Sequence, residues 1–160
     1  MSQLRIAVGS DGVGFSLINE IKVYLSGRAD TEIIDLGTQS EQQPEPYYAV
    51  ARKVAQAIQS GKANRGILAC GTGQGMAIVA NKHKDIYACV VHDIFSGKRA
   101  KIINNANVIT LGAWITAPYH AKEIVAAWLS MSFCQEMEHR KDVITDLYNK
   151  VKKIEDEMFR

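Results

Sequence analysis

Apolar residues are distributed along the chain in two patterns. Short, largely apolar runs bounded by turn residues predict buried β-strands, and apolar residues spaced three or four positions apart predict helices. Five runs of strand length occur, at residues 4–8, 33–36, 67–70, 88–91 and 108–111. Each run is followed by a turn or loop and then by a helix-compatible segment, so strands and helices are predicted to alternate.

This alternation predicts an α/β fold. Apolar strands without a polar face are typical of a parallel sheet that is covered on both sides, and right-handed crossovers leave a Rossmann-like three-layer sandwich as the simplest topology. We therefore expect a five-stranded parallel sheet with helices on both faces and a C-terminal helix. With 160 residues, 47% of them hydrophobic, the chain is expected to form one domain over residues 1–160.

The C-terminal segment, about residues 136–160, shows a narrower pattern than the other predicted helices. From Asp142 onward the apolar residues form a narrow stripe on a helix that is otherwise rich in charge. The stripe consists of Val143, Leu147, Val151, Ile154 and Met158. Its width suits packing on another subunit, and a helix that lies across its own domain is equally compatible with the sequence.

Charge and composition narrow the classes of function. The 19 Lys and Arg residues exceed the 17 Asp and Glu residues by two, without a block of like charge before the last helix, which argues against a nucleic-acid partner. The sequence has neither a membrane-length apolar run nor the pattern of a secretory signal, so a cytoplasmic protein is expected. Because Cys70, Cys89 and Cys134 form no CxxC pair, we interpret them as free thiols and expect no metal site.

The most distinctive candidate chemistry follows the third predicted strand. Cys70 ends this strand, and the glycine-rich turn 71–75 precedes the next helix. Ligands of parallel α/β sheets bind beyond the carboxyl ends of the strands, where backbone N–H groups at a helix start stabilise anions. The first strand brings Asp11 and Gly12 to the same edge, and the fourth brings His92.

A thiolate beside backbone N–H donors suits the removal of a proton next to a carbonyl, because the donors stabilise the enediolate oxygens that gain charge. Aldose–ketose isomerisation uses this chemistry and needs neither a metal nor a cofactor. The turn lacks the Lys-Ser/Thr ending of a nucleotide-binding loop, and Met76 stands where a phosphatase loop needs an arginine. A dinucleotide site with Asp93 on the ribose, and a purely structural Cys70, are weaker alternatives.

Five motifs spread over most of the chain have a specific combination of residues. They are GSDGVGF from Gly9, IDLGT from Ile34, GILACGTGQGMAIVANK from Gly66, HDIFS from His92 and NNANVITLGA from Asn104. With these motifs the chain resembles the ribose-5-phosphate isomerase B and galactose-6-phosphate isomerase family. The resemblance implies a Rossmann-like fold and an active site that two subunits share.

The resemblance also implies the catalytic residues. Cys70 is the base that moves a proton between C1 and C2 of a sugar phosphate, and Thr72 and His92 are the other catalytic candidates. The turn that holds the anionic oxygens comprises Gly71, Thr72, Gly73, Gln74 and Gly75.

Further matching positions imply the substrate contacts. Asp11 and Gly12 contact hydroxyl groups, Asn104 holds the enediolate end, and Arg140 binds the phosphate. Asn104 and Arg140 are expected to reach the site from the neighbouring subunit of a homodimer or homotetramer, which agrees with a tail helix that packs on a partner.

Several positions depart from the family pattern. Gly12 replaces a histidine, Ile103 replaces the histidine that opens the sugar ring, and Trp114 replaces an arginine. The first of two tail arginines is replaced within residues 136–138. Each charged hydrogen bond that is lost weakens phosphate binding by roughly 1.5–3 kcal/mol, so ribose 5-phosphate should bind poorly. A four-carbon sugar phosphate that cannot cyclise would not need the ring-opening histidine.

These departures leave three hypotheses. The leading one is a cofactor-free isomerase of a small sugar phosphate, of the ribose 5-phosphate type or a four-carbon analogue. The alternative is a catalytically impaired relative that binds a sugar phosphate for regulation or assembly. The third hypothesis keeps the isomerase chemistry but drops the phosphate, with Trp114 stacking on an uncharged or carboxylated sugar.

One further position departs from the family pattern. The tyrosine that the family has before the second helix corresponds to Glu45 or, shifted, to Tyr47.

Overall fold

The computed structural model describes residues 3–159, and its centre is a five-stranded parallel sheet. The strands are β1 (Leu4–Ser10), β2 (Thr31–Asp35), β3 (Arg65–Cys70), β4 (Ala88–Val90) and β5 (Val108–Gly112). They lie in the order β2-β1-β3-β5-β4, and every pair is parallel. The predicted parallel sheet is therefore confirmed, with all five strands at the predicted positions.

Helices cover both faces of the sheet, as the α/β prediction requires. They are α1 (Phe15–Ser26), α2 (Tyr47–Gln59), α3 (Gln74–Ala80), α4 (Ile94–Ile102), α5 (Pro118–Leu129) and α6 (Lys141–Met158). One buried cluster contains residues of α1, α4 and α5, and a second contains residues of α2 and α3. Adjacent strand residues point to opposite faces, so Ile6 lies in the first cluster and Ala7 in the second.

The strand order determines which loops meet at the carboxyl edge of the sheet. Ser10 pairs with Ala69 at the end of β1 and β3, and Cys70 pairs with Gly112 at the end of β3 and β5. The loops after β1, β3 and β5 are therefore neighbours. Strand β4 lies at the edge of the sheet, one strand further from β3, although it precedes β5 in the chain.

Helix α6 is held on its own domain by one face. Ile144 is buried, and the Tyr148 ring packs against the rings of Tyr87 and Phe133, with centroids 5.4 Å and 5.2 Å apart. The hydroxyl of Tyr87 donates a hydrogen bond to Glu155 at 2.6 Å. The helix begins at Lys141, after a short 3₁₀ helix at Glu138–Arg140, and so starts later than the predicted 136–160. Residue 160 lies outside the described residues.

The apolar stripe of α6 borders these contacts, and two of its residues, Leu147 and Val151, line a cavity together with Ile144 and Tyr148. The five residues of the stripe remain 51–76% exposed within the single chain. The sequence left packing on the same domain and packing on a partner open, and the structure shows that contacts with the same domain do not cover the stripe. Within residues 3–159, none of the helices has the length and apolar character needed to cross a membrane.

Candidate active site

Cys70 and the turn after it form the centre of the candidate site. The Cys70 side chain is buried at the end of β3, and its Sγ accepts a hydrogen bond from the backbone N–H of Gly73 at 3.1 Å. Gly73 has a φ of +79°, a conformation that favours glycine, and it is the residue at which the turn leads into α3. In general, a hydrogen-bond donor at a cysteine sulfur favours the thiolate, and the thiolate is the form of the side chain that acts as a base.

The turn is fixed by direct backbone contact with β5 and the loop after it. The carbonyl of Cys70 accepts the N–H of Ala113 at 2.8 Å, and the carbonyl of Gly71 accepts the N–H of Trp114 at 3.0 Å. A β-carbon on Gly73 would lie 3.1–3.2 Å from the backbone of Leu111. Small residues are therefore required where the two backbones meet.

The loop after β1 places a carboxylate beside the turn. The Asp11 Oδ1 accepts the N–H of Gly14 at 2.9 Å, which holds the loop in position before α1. Gly14 lies against the end of β3, since a β-carbon on it would be 2.3 Å from the carbonyl oxygen of Ala69. Asp11 is thereby held in the same pocket as Cys70.

Two aromatic side chains form walls of this pocket, which has a volume of about 300 Å³. A β-carbon on Gly71 would lie 2.8–3.0 Å from three carbons of the Trp114 ring, and one on Gly75 would lie 2.8–3.3 Å from carbons of the Tyr47 ring. The two rings therefore lie directly against the glycines of the turn. Val13, in the loop after β1, also lines the pocket.

The described lining of the pocket carries one carboxylate and no cationic side chain. Its members are Asp11, Val13, Tyr47, Cys70, Gly71, Thr72, Gly75 and Trp114. Across residues 3–159, groups of three or more His, Cys, Asp or Glu side chains that could hold a metal ion are absent. The pocket thus offers a thiol, a hydroxyl, a carboxylate and backbone N–H groups for chemistry on a small polar molecule.

The structure brings part of the predicted site together. Asp11, Cys70, Gly71, Thr72 and Gly75 line one pocket, and Gly73 donates to the sulfur of Cys70. Two further predicted residues, Gly12 and Gln74, are exposed beside it and do not line the pocket.

His92 lies away from this pocket because β4 is the edge strand. Its backbone N–H donates to Ser96 Oγ at 3.3 Å, and its buried Nδ1 lacks a hydrogen-bond partner among the described residues. The alternative hypothesis that His92 caps the following helix is wrong. The N-cap of α4 is Asp93, whose carboxylate accepts the N–H of Ser96 at 2.7 Å, and this hydrogen bond lowers the pKa of Asp93.

Asn104 and Arg140 lie outside the Cys70 pocket of the same chain. Asn104 is exposed after α4 and lines a second cavity, of about 320 Å³, between β4 and α6. Arg140 is exposed at the start of α6. Their arrival from a neighbouring subunit stays a prediction.

Of the residues that line the pocket, sequence analysis left Tyr47 open as an alternative to Glu45 and did not single out Val13. Glu45 forms an ion pair with Lys53, whereas Tyr47 lines the pocket, so the tyrosine corresponds to the shifted position. Val13 was not singled out, because an apolar residue in a loop has no chemical signal. Its place inside the GSDGVGF motif was the available indication.

The sequence profile described as Ribose/Galactose Isomerase matches residues 6–145. The chain belongs to this family. A 4-deoxy-4-sulfo-D-erythrose isomerase of Clostridium sp. (strain MSTE9) is 39% identical over 158 residues, which cover 98% of this chain and 99% of the relative. A D-erythrulose-4-phosphate isomerase of Pectobacterium atrosepticum is 45% identical over 130 residues, or 81% of this chain and 85% of the relative.

A solved member of the family has the same fold. The structure of ribose-5-phosphate isomerase B of Clostridium thermocellum superposes with a TM-score of 0.88 at 33% identity, covering 97% of this chain and 99% of that chain. The family membership, the Rossmann-like fold and the enzyme class predicted from the sequence are thereby confirmed. This member of the ribose/galactose isomerase family is an aldose–ketose isomerase.

Proposed function

We propose that the protein interconverts the aldose and ketose forms of an open-chain four-carbon sugar that carries an anionic group on C4, with Cys70 as the base. The observation that carries this proposal is the Gly73 N–H at 3.1 Å from Cys70 Sγ, in a pocket that also contains Asp11 and Thr72. The thiol lies beside donors that can stabilise an enediolate, which is the arrangement that the reaction requires.

The proposed reaction transfers one proton between two carbons. The Cys70 thiolate removes the proton from C2 of the aldose, and the electron pair of that bond forms the C1–C2 double bond while charge develops on O1. The proton on O2 moves to O1, with the hydroxyl of Thr72 as the carrier. The thiol then returns its proton to C1, which leaves a hydroxymethyl group at C1 and a carbonyl at C2.

Backbone N–H groups stabilise the intermediate. The first N–H groups of a helix have no partner within the helix, and those of α3 follow the turn directly. Each such donor aimed at an enediolate oxygen is worth several kcal/mol in catalysis, about 2.7–4 kcal/mol in measured cases. The turn 71–75 therefore supplies the stabilisation without a metal.

Two features support a four-carbon substrate. Ile103 replaces the ring-opening histidine expected from the family resemblance, and a four-carbon aldose that is substituted at C4 cannot close a furanose ring. The relatives named as isomerases of 4-deoxy-4-sulfo-D-erythrose and of D-erythrulose 4-phosphate both act on such compounds. A substrate that is always open does not need an acid to open it.

The exposed surfaces support a site shared between two copies. The α6 stripe leaves five apolar side chains in solvent, and Asn104 and Arg140 are exposed without lining the Cys70 pocket of their own chain. In a dimer, Asn104 of the second copy would hold the enediolate and Arg140 would bind the terminal anion. The Cys70 pocket, which has no cation in its described lining, would gain one in this way.

The test is exchange of the C2 proton with solvent deuterium, followed by NMR. The panel comprises 4-deoxy-4-sulfo-D-erythrose, D-erythrose 4-phosphate and ribose 5-phosphate. We expect fast exchange with both four-carbon sugars, slow exchange with ribose 5-phosphate, and loss of exchange by a factor of about 10² or more in Cys70→Ala.

Cys89→Ala is the matched control, because Cys89 is likewise a free thiol, half-buried where Cys70 is buried, and does not line the Cys70 pocket. Burial raises the pKa of Cys89. The Cys89→Ala variant should keep the wild-type exchange rate. Exchange that survives in Cys70→Ala would exclude Cys70 as the base. Binding of a sugar phosphate without turnover of any compound would instead favour the impaired, regulatory relative.

A further inference from the structure

Trp114 is the most exposed of the large side chains that line the Cys70 pocket. It is 75% exposed, compared with 46% for Val13 and 42% for Tyr47. Its position is nevertheless well defined, since its backbone N–H donates to the Gly71 carbonyl at 3.0 Å and its ring lies against Gly71. An exposed indole ring in the same pocket as the Cys70 sulfur offers an apolar face to whatever occupies that pocket.

Because the Trp114 ring is uncharged, it contributes no positive charge to the pocket. Asp11 is the one charged side chain among the described lining residues, and Trp114 forms an uncharged wall beside Gly71. An anion that enters next to the ring loses water without gaining an ion pair from its own chain, and it shares the pocket with the Asp11 carboxylate. Both costs rise steeply with the charge of the anion. In the proposed dimer, Arg140 of the second copy would be its one cationic partner, which balances one negative charge but not two.

The two acidic groups of the candidate substrates differ in this charge. A phosphate monoester carries about 1.5–2 negative charges at pH 7 because its second pKa is near 6. A sulfonate has the same tetrahedral shape and a single charge. A wall without a cation therefore discriminates against the phosphate more strongly than against the sulfonate.

We propose that Trp114 is a specificity-determining residue, which packs on the carbon chain of the substrate and selects a sulfonate over a phosphate as the terminal group. This inference rests on the proposed function, because it takes the Cys70 pocket as the place where an open-chain four-carbon sugar reacts. Tyr47 forms a second wall, against Gly75, and Trp114 alone leaves most of its ring free for contact.

The experiment compares kcat/KM for 4-deoxy-4-sulfo-D-erythrose and D-erythrose 4-phosphate in three full-length variants. Trp114→Arg supplies a cation at the wall, Trp114→Phe retains an uncharged ring, and Tyr119→Arg adds the same cation at another exposed aromatic residue outside the pocket, 78% exposed. Binding of both compounds to the same variants carrying Cys70→Ala is measured by calorimetry.

Trp114→Arg should raise the preference for phosphate over sulfonate by about tenfold or more, the worth of a charged hydrogen bond. Trp114→Phe and Tyr119→Arg should leave the preference within about threefold of the wild type. An unchanged preference in Trp114→Arg, or an equal shift in Tyr119→Arg, would overturn the inference. If the wild type turns over neither compound, the proposed function fails, and the calorimetric preference still decides the role of Trp114.

Discussion

Gly73 and Gly61 form a matched pair for testing the turn beside Cys70. Both have a left-handed backbone, with φ of +79° and +74°. A β-carbon on Gly61 would meet nothing within 4 Å, whereas one on Gly73 would lie 3.1–3.2 Å from the backbone of Leu111. Replacing each by alanine therefore separates the cost of the backbone conformation from the cost of the contact with β5.

The structure sets the expected free energies of unfolding. A left-handed conformation costs an alanine about 1–2 kcal/mol, and the stiffer unfolded chain returns part of this, so Gly61→Ala should lose about 1 kcal/mol. Gly73→Ala has the same cost, and its β-carbon also presses on the buried, hydrogen-bonded end of β5. Such overpacking adds about 1–3 kcal/mol, for a total of about 2–4 kcal/mol.

Activity should separate the two variants further. Any shift of Gly73 moves the N–H that donates to Cys70 Sγ, and a hydrogen bond to a charged group is worth about 1.5–3 kcal/mol. The rate of C2 proton exchange should therefore fall roughly tenfold to a hundredfold in Gly73→Ala and stay unchanged in Gly61→Ala.

Urea denaturation measures the stabilities, and NMR in deuterated solvent measures the exchange rates. Equal losses of stability in the two variants would show that the turn does not pack rigidly on β5. A folded Gly73→Ala protein that exchanges at the wild-type rate would show that the Gly73 N–H does not support the thiolate.

Three further changes test other parts of the molecule. Burial, and to a lesser degree the charge of Arg65, lowers the pKa of Lys101 from 10.5 to about 8. Between these two pH values the unfolded chain binds more protons than the folded protein. The wild type therefore gains stability as the pH rises from about 8 to 10.5. Lys101→Met should thus be about 1–3 kcal/mol more stable than the wild type at pH 7 by urea denaturation, and the difference should shrink toward pH 10.5. The Asn81 amide donates to the carbonyl of Ala88 at 2.9 Å and accepts its N–H at 2.8 Å, so Asn81→Ala should cost about 1–3 kcal/mol in the same assay. Leu147→Lys, in the exposed stripe of α6, should change the stability of the single chain by less than about 0.5 kcal/mol but weaken subunit association in sedimentation experiments and lower activity.

Each of these changes has an outcome that contradicts its physical basis. A stability difference for Lys101→Met that does not vary with pH would mean that the lysine titrates normally in the folded protein. An Asn81→Ala variant as stable as the wild type would mean that water replaces both hydrogen bonds. For Leu147→Lys the control is Val23→Lys on α1, which is 68% exposed, and equal effects of the two would argue against the stripe as an interface.

The local features of this protein could be predicted from its sequence. The five strands have apolar side chains on both faces because both sides of the sheet are buried, and this leaves continuous apolar runs in the sequence. Cys70 and its turn were also recognisable, because glycines mark the positions where the backbone turns back on itself or meets another backbone. The stripe on α6 could be predicted because a helix repeats its faces every three or four residues.

The composition of the site depended on contacts between residues that are far apart in the chain. The placement of β5 between β3 and β4 brings Trp114 into the pocket of Cys70 and leaves His92 at the edge of the sheet. In the sequence, by contrast, the strand that precedes His92 follows β3 directly, which suggests that His92 and not Trp114 lies next to Cys70. Only the packing of α2 on the turn showed that Tyr47, and not Glu45, lines the pocket. Periodicity and turn residues act over a few positions, and so they determine where helices and strands form. Strand order and helix packing arise from burial over the whole chain, and so only the tertiary structure decides which side chains share a pocket.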